Sequence, residues 1–150
     1  MKYYEDFELG LRHHSEQQHE LTREEIISYC KEWDPMPFHV DEAAAAASYV
    51  GKLFTSSMHV VAIGSKLAHS MKQEESAMIA GLGWEDVRFF LPACVGDKLR
   101  VCSYVSAKRE SKSRPDQGIL TSTIELLNQD DAIVASYKIV SLIMKKPEVI

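Results

Sequence analysis

Residues 57–71, SMHVVAIGSKLAHSM, carry the strongest structural signal in the chain. Apolar residues recur in this stretch at the three- and four-residue spacing that places side chains on one face of a helix, and polar residues are few. The positions that set the spacing are Met58, Val61, Ala62, Leu67 and Ala68. Because a helix this apolar is usually buried on most of its sides, we expect one central helix on which the rest of the chain packs.

Four segments after this helix are rich in β-branched and apolar residues, which favour strands. They are residues 89–91, 99–105, 119–127 and 133–144. Short stretches with turn-forming residues separate them, at Pro92, Gly96-Asp97, 114–118 and 128–131. Strands joined by short turns pair antiparallel, so the sequence predicts the α+β class, with an antiparallel sheet packed on the apolar helix.

A capping motif predicts a first helix upstream of the central one. In the stretch Thr22-Arg-Glu-Glu25, the Thr22 hydroxyl can accept a hydrogen bond from a free backbone N–H while the Glu25 side chain reaches back to the cap. The helix is expected to run from about Thr22 to Trp33. Before it, residues 1–20 are expected to form a polar arm in which residues 13–20 can be an exposed strand.

Two prolines end that first helix and stiffen the chain after it. Pro35 and Pro37 cannot continue a helix, so residues 34–39 are expected to form a stiff loop. The fixed backbone lowers the entropy cost of holding the loop side chains in one geometry. Asp41 then supplies an N-cap for a second helix over residues 42–49, which contains five consecutive alanines.

Length and composition are those of an ordinary globular protein. The chain has 150 residues, 45% of them hydrophobic and 26% charged, so residues 1–150 are expected to form one domain with its own core. The formal net charge of −5 and the lack of a Lys/Arg stripe argue against a nucleic-acid partner. No apolar run reaches the roughly 18 residues of a membrane span, and the N-terminus is too polar for a signal peptide. With three cysteines and no C-x-x-C pair, the chain is expected to be cytoplasmic with reduced thiols.

No metal site is expected from the histidines. His13, His14 and His19 lack zinc-type spacing with a partner carboxylate. His59 and His69 lie ten residues apart and suggest no ligand pair either.

Asp34 and His39, at the two ends of the stiff loop, are the candidate catalytic pair. A carboxylate and an imidazole five residues apart on such a loop can converge on one small site. An imidazole titrates near neutrality and can move protons there, while the carboxylate orients the ring or a water molecule. The spacing by itself also fits an ordinary structural pair, with Asp34 capping a turn and His39 as a polar residue near the second helix.

The motif and the segments that follow it resemble the MaoC-like branch of the hotdog superfamily. Hydratases of that branch carry Asp-x-Asn-Pro-x-His after a helix, and Asp34, Pro37 and His39 match this motif. The similarity covers about residues 5–145 and includes Gly81-Leu-Gly-Trp84, Val87-Arg-Phe-Phe90, Leu91-Pro92 and Val95-Gly-Asp-Lys-Leu99. The resemblance implies a hotdog fold, in which a curved antiparallel sheet wraps around a long central helix. It also implies a homodimer with active sites between or near the subunits.

An activity is implied as well, that of a hydro-lyase that adds water to, or removes it from, the double bond of an enoyl thioester. Asp34 would act as base toward the water, and His39 would share the proton transfer to the α-carbon, with the two roles open to exchange. Backbone N–H groups at the start of the central helix would stabilise the charge that develops on the thioester oxygen. Coenzyme A or an acyl carrier protein would enter as part of the substrate, so no separate cofactor is implied.

Four further residues are candidates for substrate binding: Phe38, Ser57, Met58 and Ser65. Phe38 and Met58 are apolar and either line a pocket for the acyl chain or belong to the core. Ser65 matches a position where the family's hydratases commonly carry a serine facing the site, and it equally suits a helix-packing surface. Ser57 stands where the family often has glycine, and Met36 stands where the motif has asparagine.

These two departures keep other functions open. A decayed site would leave a non-catalytic hotdog protein that binds acyl thioesters. A thioesterase of the same superfamily would use a carboxylate to activate water against the thioester carbon. The family's thioesterases rarely carry the motif of Asp34 and His39, which favours the hydro-lyase. The length of the acyl chain is also left open.

Overall fold

A single-turn 3-10 helix (Tyr4–Asp6) and two short strands come first along the chain, followed by four α-helices and then four long strands. The computed structural model describes residues 1–149; Ile150, the last residue of the expected domain, lies outside the described residues. The α-helices in this range are α1 (Arg23–Trp33), α2 (Pro37–Val40), α3 (Glu42–Ala46) and α4 (Ser57–Ser70). The strands are β1 (His13–His14), β2 (His19–Glu20), β3 (Met78–Phe89), β4 (Lys98–Glu110), β5 (Gln117–Leu127) and β6 (Ile133–Met144).

The strands form one antiparallel arrangement in the order β1-β4-β5-β6-β3, and β2 pairs with β4 as well. The exposed strand that residues 13–20 could form is present only in part, as the two-residue strands β1 and β2 with residues 15–18 between them. Side chains from α1, α4 and β4 to β6 meet in one buried cluster that holds most of the core. The helices packed on an antiparallel sheet confirm the α+β class.

Three of the four expected strands are confirmed, and the position of the remaining one is wrong. β4, β5 and β6 cover the segments predicted after the first turn, and β4 runs on to Glu110. A strand was expected at residues 89–91, but β3 begins at Met78 and ends at Phe89. Gly81 and Gly83 weaken the local signal for a strand. Their extended conformation comes from pairing with β6, which includes several register shifts.

The start of α1 follows half of the expected capping box. Thr22 is the N-cap, and its hydroxyl accepts a hydrogen bond from the Glu25 backbone N–H at 3.2 Å. The Glu25 carboxylate points away from the cap and contacts the rings of His19 and His59. The predicted hydrogen bond from the Glu25 side chain back to the cap is therefore wrong, because the carboxylate contacts the two histidine rings instead.

The segment between α1 and α4 is more helical at first, and less helical later, than expected. Residues 34–39 were expected to form a loop, but Pro37 begins the single turn of α2, where its missing N–H has no partner to lose. Asp41 caps α3 as predicted, accepting from the Ala43 N–H at 2.8 Å. α3 ends at Ala46 rather than at residue 49, and Gly51 turns the chain with φ of 79°.

α4 confirms the central helix, but the expectation that most of its sides are buried is wrong, because only one face is buried and Met58 and Ala62 are exposed. The buried residues are His59, Val60, Val61, Ile63, Gly64 and Leu67. Gly64 brings this face very close to the sheet, because a Cβ there would lie 2.5 Å from the Tyr137 hydroxyl oxygen and 2.9 Å from Leu126 Cδ1. α4 has 14 residues, and none of the helices in residues 1–149 is long and apolar enough to cross a membrane.

Replacing Gly64 with alanine should destabilise the fold even though alanine favours helices. Tyr137 is 1% exposed and Leu126 0%, so neither side chain can move aside freely. Alanine gains up to about 1 kcal/mol over glycine within a helix, whereas overpacking a core costs about 1–3 kcal/mol. We expect Gly64→Ala to lower the free energy of unfolding by about 1 kcal/mol in urea denaturation at fixed protein concentration.

The Tyr137→Phe background provides the control for this contact. Phenylalanine lacks the hydroxyl that a Cβ at Gly64 would meet, so Gly64→Ala should lower the free energy of unfolding by less in that background. An equal loss in both backgrounds would contradict the assigned contact.

Candidate active site

A short piece of chain brings Asp34 and His39 together. Asp34 ends α1, where its backbone N–H donates to the Cys30 carbonyl at 2.9 Å. His39 lies in the single turn of α2, and its Nε2 is 3.6 Å from Asp34 Oδ2. The imidazole is buried, with His39 only 5% exposed, whereas the Asp34 side chain is 36% exposed. The carboxylate therefore reaches solvent while the ring beside it is enclosed.

A backbone carbonyl determines which nitrogen of His39 carries a hydrogen. His39 Nδ1 lies 2.8 Å from the Phe54 carbonyl oxygen. A carbonyl only accepts hydrogen bonds, so Nδ1 must donate, and the neutral ring presents an unprotonated Nε2 toward Asp34. The separation of 3.6 Å is too long for an ordinary hydrogen bond. Nε2 and the carboxylate can thus both bind the same small group beside them.

The His39 ring forms part of the wall of an open cleft of about 380 Å³. Phe38 and Phe54 stack in the same wall, with ring centroids 5.4 Å apart and planes 6° from parallel. The far wall comes from the end of β3 and the residues after it, Phe89, Phe90, Leu91 and Pro92. A cleft lined mainly by apolar side chains with one titratable ring suits an apolar ligand that carries a reactive polar group.

Other clefts of similar size lie on the surface but lack this combination. The cleft of about 260 Å³ beside Lys2, Asp6 and Lys72, for example, has a mainly polar lining. Its histidine, His13, is exposed and has no carboxylate partner within salt-bridge distance in residues 1–149. We therefore place the candidate site at the Asp34–His39 cleft.

The first turn of α4 forms the floor of the cleft at Ser57. Ser56 is the N-cap and accepts from the Met58 backbone N–H at 3.3 Å. The Ser57 N–H is one of the groups at the start of a helix that have no acceptor within the helix itself. Such groups, together with the helix dipole, favour negative charge, so the cleft offers a place for a developing oxyanion near His39.

The structure brings together four of the six predicted site residues. Phe38 and Ser57 line the cleft with His39, and Asp34 lies beside the His39 ring. Met58 does not line the cleft, and it is 64% exposed. Ser65 lies two turns further along α4 on the exposed side, away from the lining residues. Residues 89–92 also line the cleft, but their sequence indicated only a strand and a turn and gave no sign of a binding site.

A second group of polar side chains lies directly behind the cleft. His59 is buried in the first turn of α4, with Nδ1 at 2.6 Å from Thr55 Oγ1 and Nε2 at 3.2 Å from Glu25 Oε1. The same carboxylate oxygen is 2.6 Å from His19 Nε2. Thr55 belongs to this group and also lines the cleft. These contacts were not predicted from the sequence, although a histidine on the apolar face of α4 was a signal for them, because buried polar groups need partners.

The surroundings of His59 favour its neutral form. Burial lowers the pKa of His59 below the ordinary value of 6.5, the neighbouring Glu25 carboxylate raises it, and the nearby His19 ring lowers it. The ring of Tyr29 stacks on His59 at a centroid distance of 4.2 Å, and the Thr55 hydroxyl lies at its Nδ1. The net shift is downward.

The chemistry of these groups is that of hydrogen bonding and proton transfer. Within residues 1–149, no cluster of three or more His, Cys, Asp or Glu side chains is arranged to hold a metal ion. His19 and His59 both direct Nε2 at one oxygen of Glu25, which is an arrangement of two donors around one acceptor.

Comparison with known proteins identifies the family. The model of the MaoC like domain matches residues 7–125. The chain belongs to the MaoC-like domain family. A MaoC-like dehydratase from Rhodospirillum rubrum is 32% identical, with a TM-score of 0.89 over 99% of this chain and 100% of that one.

Two further structures share the fold of this MaoC-like domain. An (R)-hydratase from A. caviae involved in PHA biosynthesis is 24% identical, with a TM-score of 0.70 over 94% of this chain and 98% of that one. A Mycobacterium tuberculosis protein with a double hotdog fold is 16% identical, with a TM-score of 0.76 over 99% of this chain and 46% of that one. The hotdog fold implied by the resemblance is confirmed.

The lowered pKa of His59 should make stability fall as the solution becomes acidic. Between the ordinary pKa of 6.5 and the lower folded value, the unfolded chain binds more protons than the folded one, so the free energy of unfolding rises with pH in that window. Urea denaturation at about pH 7.5 and about pH 5.5 should then show a smaller loss in His59→Gln than in the wild type.

His69→Gln is the matched control for this prediction, because His69 is an exposed histidine on the same helix. It should keep the wild-type difference between the two pH values. If His59→Gln also keeps that difference, the titration assigned to His59 is wrong.

Proposed function

We propose that the chain is a hydro-lyase that adds water to, or removes it from, the double bond of an enoyl thioester. One observation carries the proposal: His39 presents an unprotonated Nε2 at 3.6 Å from the Asp34 carboxylate, on the wall of an apolar cleft. Membership of the MaoC-like family, and structural similarity to a MaoC-like dehydratase, support it.

The apolar walls and the helix start suit the two ends of such a substrate. Phe38, Phe54 and Phe89 offer apolar surface to an acyl chain. The thioester oxygen would face the backbone N–H groups at Ser57, which stabilise negative charge better than they stabilise a neutral carbonyl. In this pose the double bond, next to the thioester carbon, lies near His39 and Asp34.

Hydration then needs one group to take a proton and one to give a proton. The Asp34 carboxylate removes a proton from water as the water oxygen bonds to the β-carbon. The electron pair of the double bond moves onto the thioester oxygen, giving an enolate. The proton then passes from Asp34 to the unprotonated Nε2 of His39, which donates it to the α-carbon as the carbonyl forms again. The pair has then returned to its starting state, and the reverse sequence removes water.

The two departures from the family motif are compatible with this chemistry. Met36 replaces asparagine, but its side chain is 45% exposed and its backbone N–H donates to the Asp34 carbonyl at 2.8 Å. The turn is therefore ordered by the backbone, without an amide side chain. Ser57 adds a hydroxyl at the cleft floor, where it can donate to an oxyanion as well as narrow the space.

We propose further that coenzyme A thioesters are the substrates, with the carrier outside the cleft and no separate cofactor. The reacting acyl group alone fits a cleft of about 380 Å³. Crotonyl-CoA and longer enoyl-CoAs are the appropriate probes, followed through the loss of the conjugated-thioester absorbance.

Substitution of either member of the pair should remove most of the hydration rate. Asp34→Asn keeps the shape of the side chain but removes the base. His39→Asn keeps a donor near the position of Nδ1 for the Phe54 carbonyl and removes Nε2. A loss of rate in this variant therefore reflects the lost proton transfer and not a lost structural hydrogen bond. We expect kcat for crotonyl-CoA to fall about 10²–10⁴-fold in each, with the double variant little worse than either single one.

His69→Asn is the control, an exposed histidine outside the cleft, and it should keep the wild-type rate. Activity that survives Asp34→Asn with a loss of only a few-fold would contradict the assigned roles. Release of a free thiol from the same substrates would indicate a thioesterase. Binding of enoyl-CoAs of every length without turnover would indicate a non-catalytic protein.

We also propose that two copies of the chain pair through β3. All twelve residues of this strand are exposed, and it forms the edge of the sheet within residues 1–149. Its exposed apolar side chains are Met78, Ile79, Leu82, Trp84, Val87 and Phe89. The free backbone groups and apolar side chains of a long edge strand can pair with a strand of another chain. A second copy would also cover the open side of the cleft at Phe90.

Light scattering at micromolar concentration should then give about twice the chain mass of 17.0 kDa. Leu82→Asp places a charge in the proposed interface of both copies, so it should give the mass of one chain. Leu9→Asp, at a residue 62% exposed on the N-terminal arm, should keep the mass of two. A wild-type mass near 17.0 kDa would overturn the proposal.

A further inference from the structure

Behind the cleft, Glu25, His59 and Thr55 form a series of hydrogen bonds that the proposed chemistry does not use. We propose that His59 is a positioning residue. Held by Glu25, it fixes the Thr55 hydroxyl and, with it, the peptide that joins Phe54 to Thr55. The carbonyl of that peptide orients His39. The inference rests on the proposed function, because it assumes that His39 transfers protons.

The Glu25 carboxylate sets the direction of the series. An ionised carboxylate only accepts hydrogen bonds, so the two ring nitrogens directed at Glu25 Oε1 must both carry hydrogens. These are His59 Nε2 at 3.2 Å and His19 Nε2 at 2.6 Å. The ammonium of Lys66 lies 3.3 Å from His19 Nδ1 and donates to it, which suits a neutral His19 ring.

With its hydrogen on Nε2, neutral His59 presents an unprotonated Nδ1 to Thr55. The Thr55 hydroxyl, at 2.6 Å, is then the donor. Its oxygen is left free to accept from the Cys30 thiol, 3.6 Å away. The ring of Tyr29 stacks on His59 with planes 12° from parallel, so the imidazole is held in its plane as well as at both nitrogens. The threonine hydroxyl therefore has one defined direction.

The peptide between Phe54 and Thr55 joins this series to His39. Its carbonyl accepts from His39 Nδ1 at 2.8 Å, and its N–H donates to the Ala93 carbonyl at 2.9 Å. The bond from the Thr55 side chain to His59 is the third attachment of the same unit. Loss of that attachment lets the peptide rotate about the remaining two. The carbonyl would then fix the hydrogen on His39 Nδ1 less firmly, and Nε2 would be misaligned for proton transfer.

Three Thr55 and Thr123 variants test this through kinetics with crotonyl-CoA. Thr55→Val removes the hydroxyl with little change of shape, and we expect kcat to fall roughly tenfold with KM within about twofold, because His39 is misaligned while binding is kept. Thr55→Ser keeps the hydroxyl and should restore most of kcat. Thr123→Val removes another buried threonine hydroxyl, which donates to Ser106 on the sheet, and should leave kcat unchanged.

A double-variant comparison connects the effect to His59. His59→Leu leaves the Thr55 hydroxyl without its acceptor, so it should lower kcat about as much as Thr55→Val does. Because both changes break the same bond, the double variant should be little worse than either. If His59→Leu does not fold, the comparison of Thr55→Val with Thr55→Ser still decides the point.

The ¹⁵N spectrum of the His39 ring provides a test that needs no turnover. In the free wild-type protein the ring should show a hydrogen on Nδ1 and an unprotonated Nε2 at neutral pH. Thr55→Val should shift the ring toward a mixture of the two tautomers, and Thr55→Ser and Thr123→Val should not.

The two readouts separate failure of this inference from failure of the proposed function. Wild-type protein that hydrates no enoyl-CoA would overturn the function, and the ¹⁵N spectra would then still decide whether His59 positions His39. An unchanged His39 spectrum in Thr55→Val, or equal loss of kcat in Thr55→Val and Thr55→Ser, would overturn the positioning role.

Discussion

Close packing between α4 and the sheet determines where every part of the site can lie. Gly64 allows the helix to approach Tyr137 and Leu126 more closely than any side chain would permit. That contact holds the helix, and therefore its first turn, at a definite place over the sheet. The backbone N–H groups near Ser57 belong to this first turn, and Phe54 lies two residues before its N-cap, Ser56. The hydrogen bond between His39 Nδ1 and the Phe54 carbonyl then connects α2 to the chain just before this helix.

Much of the fold was predictable because its signals are local. The apolar spacing of α4, the Thr22 and Asp41 caps and the β-branched runs of β4, β5 and β6 all depend on residues close in sequence. β3 was misplaced for the opposite reason. Its glycines and charged residues do not favour a strand by themselves, and pairing with β6 some 55 residues later supplies the missing stabilisation. Its exposed apolar side chains are the surface on which the proposed pairing of two copies rests.

The proximity of side chains at the candidate site was predictable to the same extent and with the same limit. Asp34 and His39 are five residues apart, and the prolines between them restrict the chain enough for spacing and residue type to indicate a pair. Glu25 and His59 are 34 residues apart, and only the packing of α1 against α4 brings them together. The Glu25 carboxylate could be assigned to a helix cap from the sequence because the cap is local. In the folded chain, two ring N–H donors compete for it more effectively than one backbone N–H does.

The two buried histidines near the cleft differ in how many of their ring nitrogens have hydrogen-bond partners. His59 has a partner on each nitrogen, the Thr55 hydroxyl on one side and the Glu25 carboxylate on the other, so a proton can enter or leave only by breaking one of these bonds. Within residues 1–149, His39 has a hydrogen-bond partner on Nδ1 alone, and its Nε2 faces the partly exposed Asp34 across a gap longer than a hydrogen bond. A ring held firmly by one nitrogen, with the other available, can exchange protons with a substrate without losing its orientation. The same residue type therefore serves structure at position 59 and suits chemistry at position 39, and the carbonyl of Phe54 connects the two.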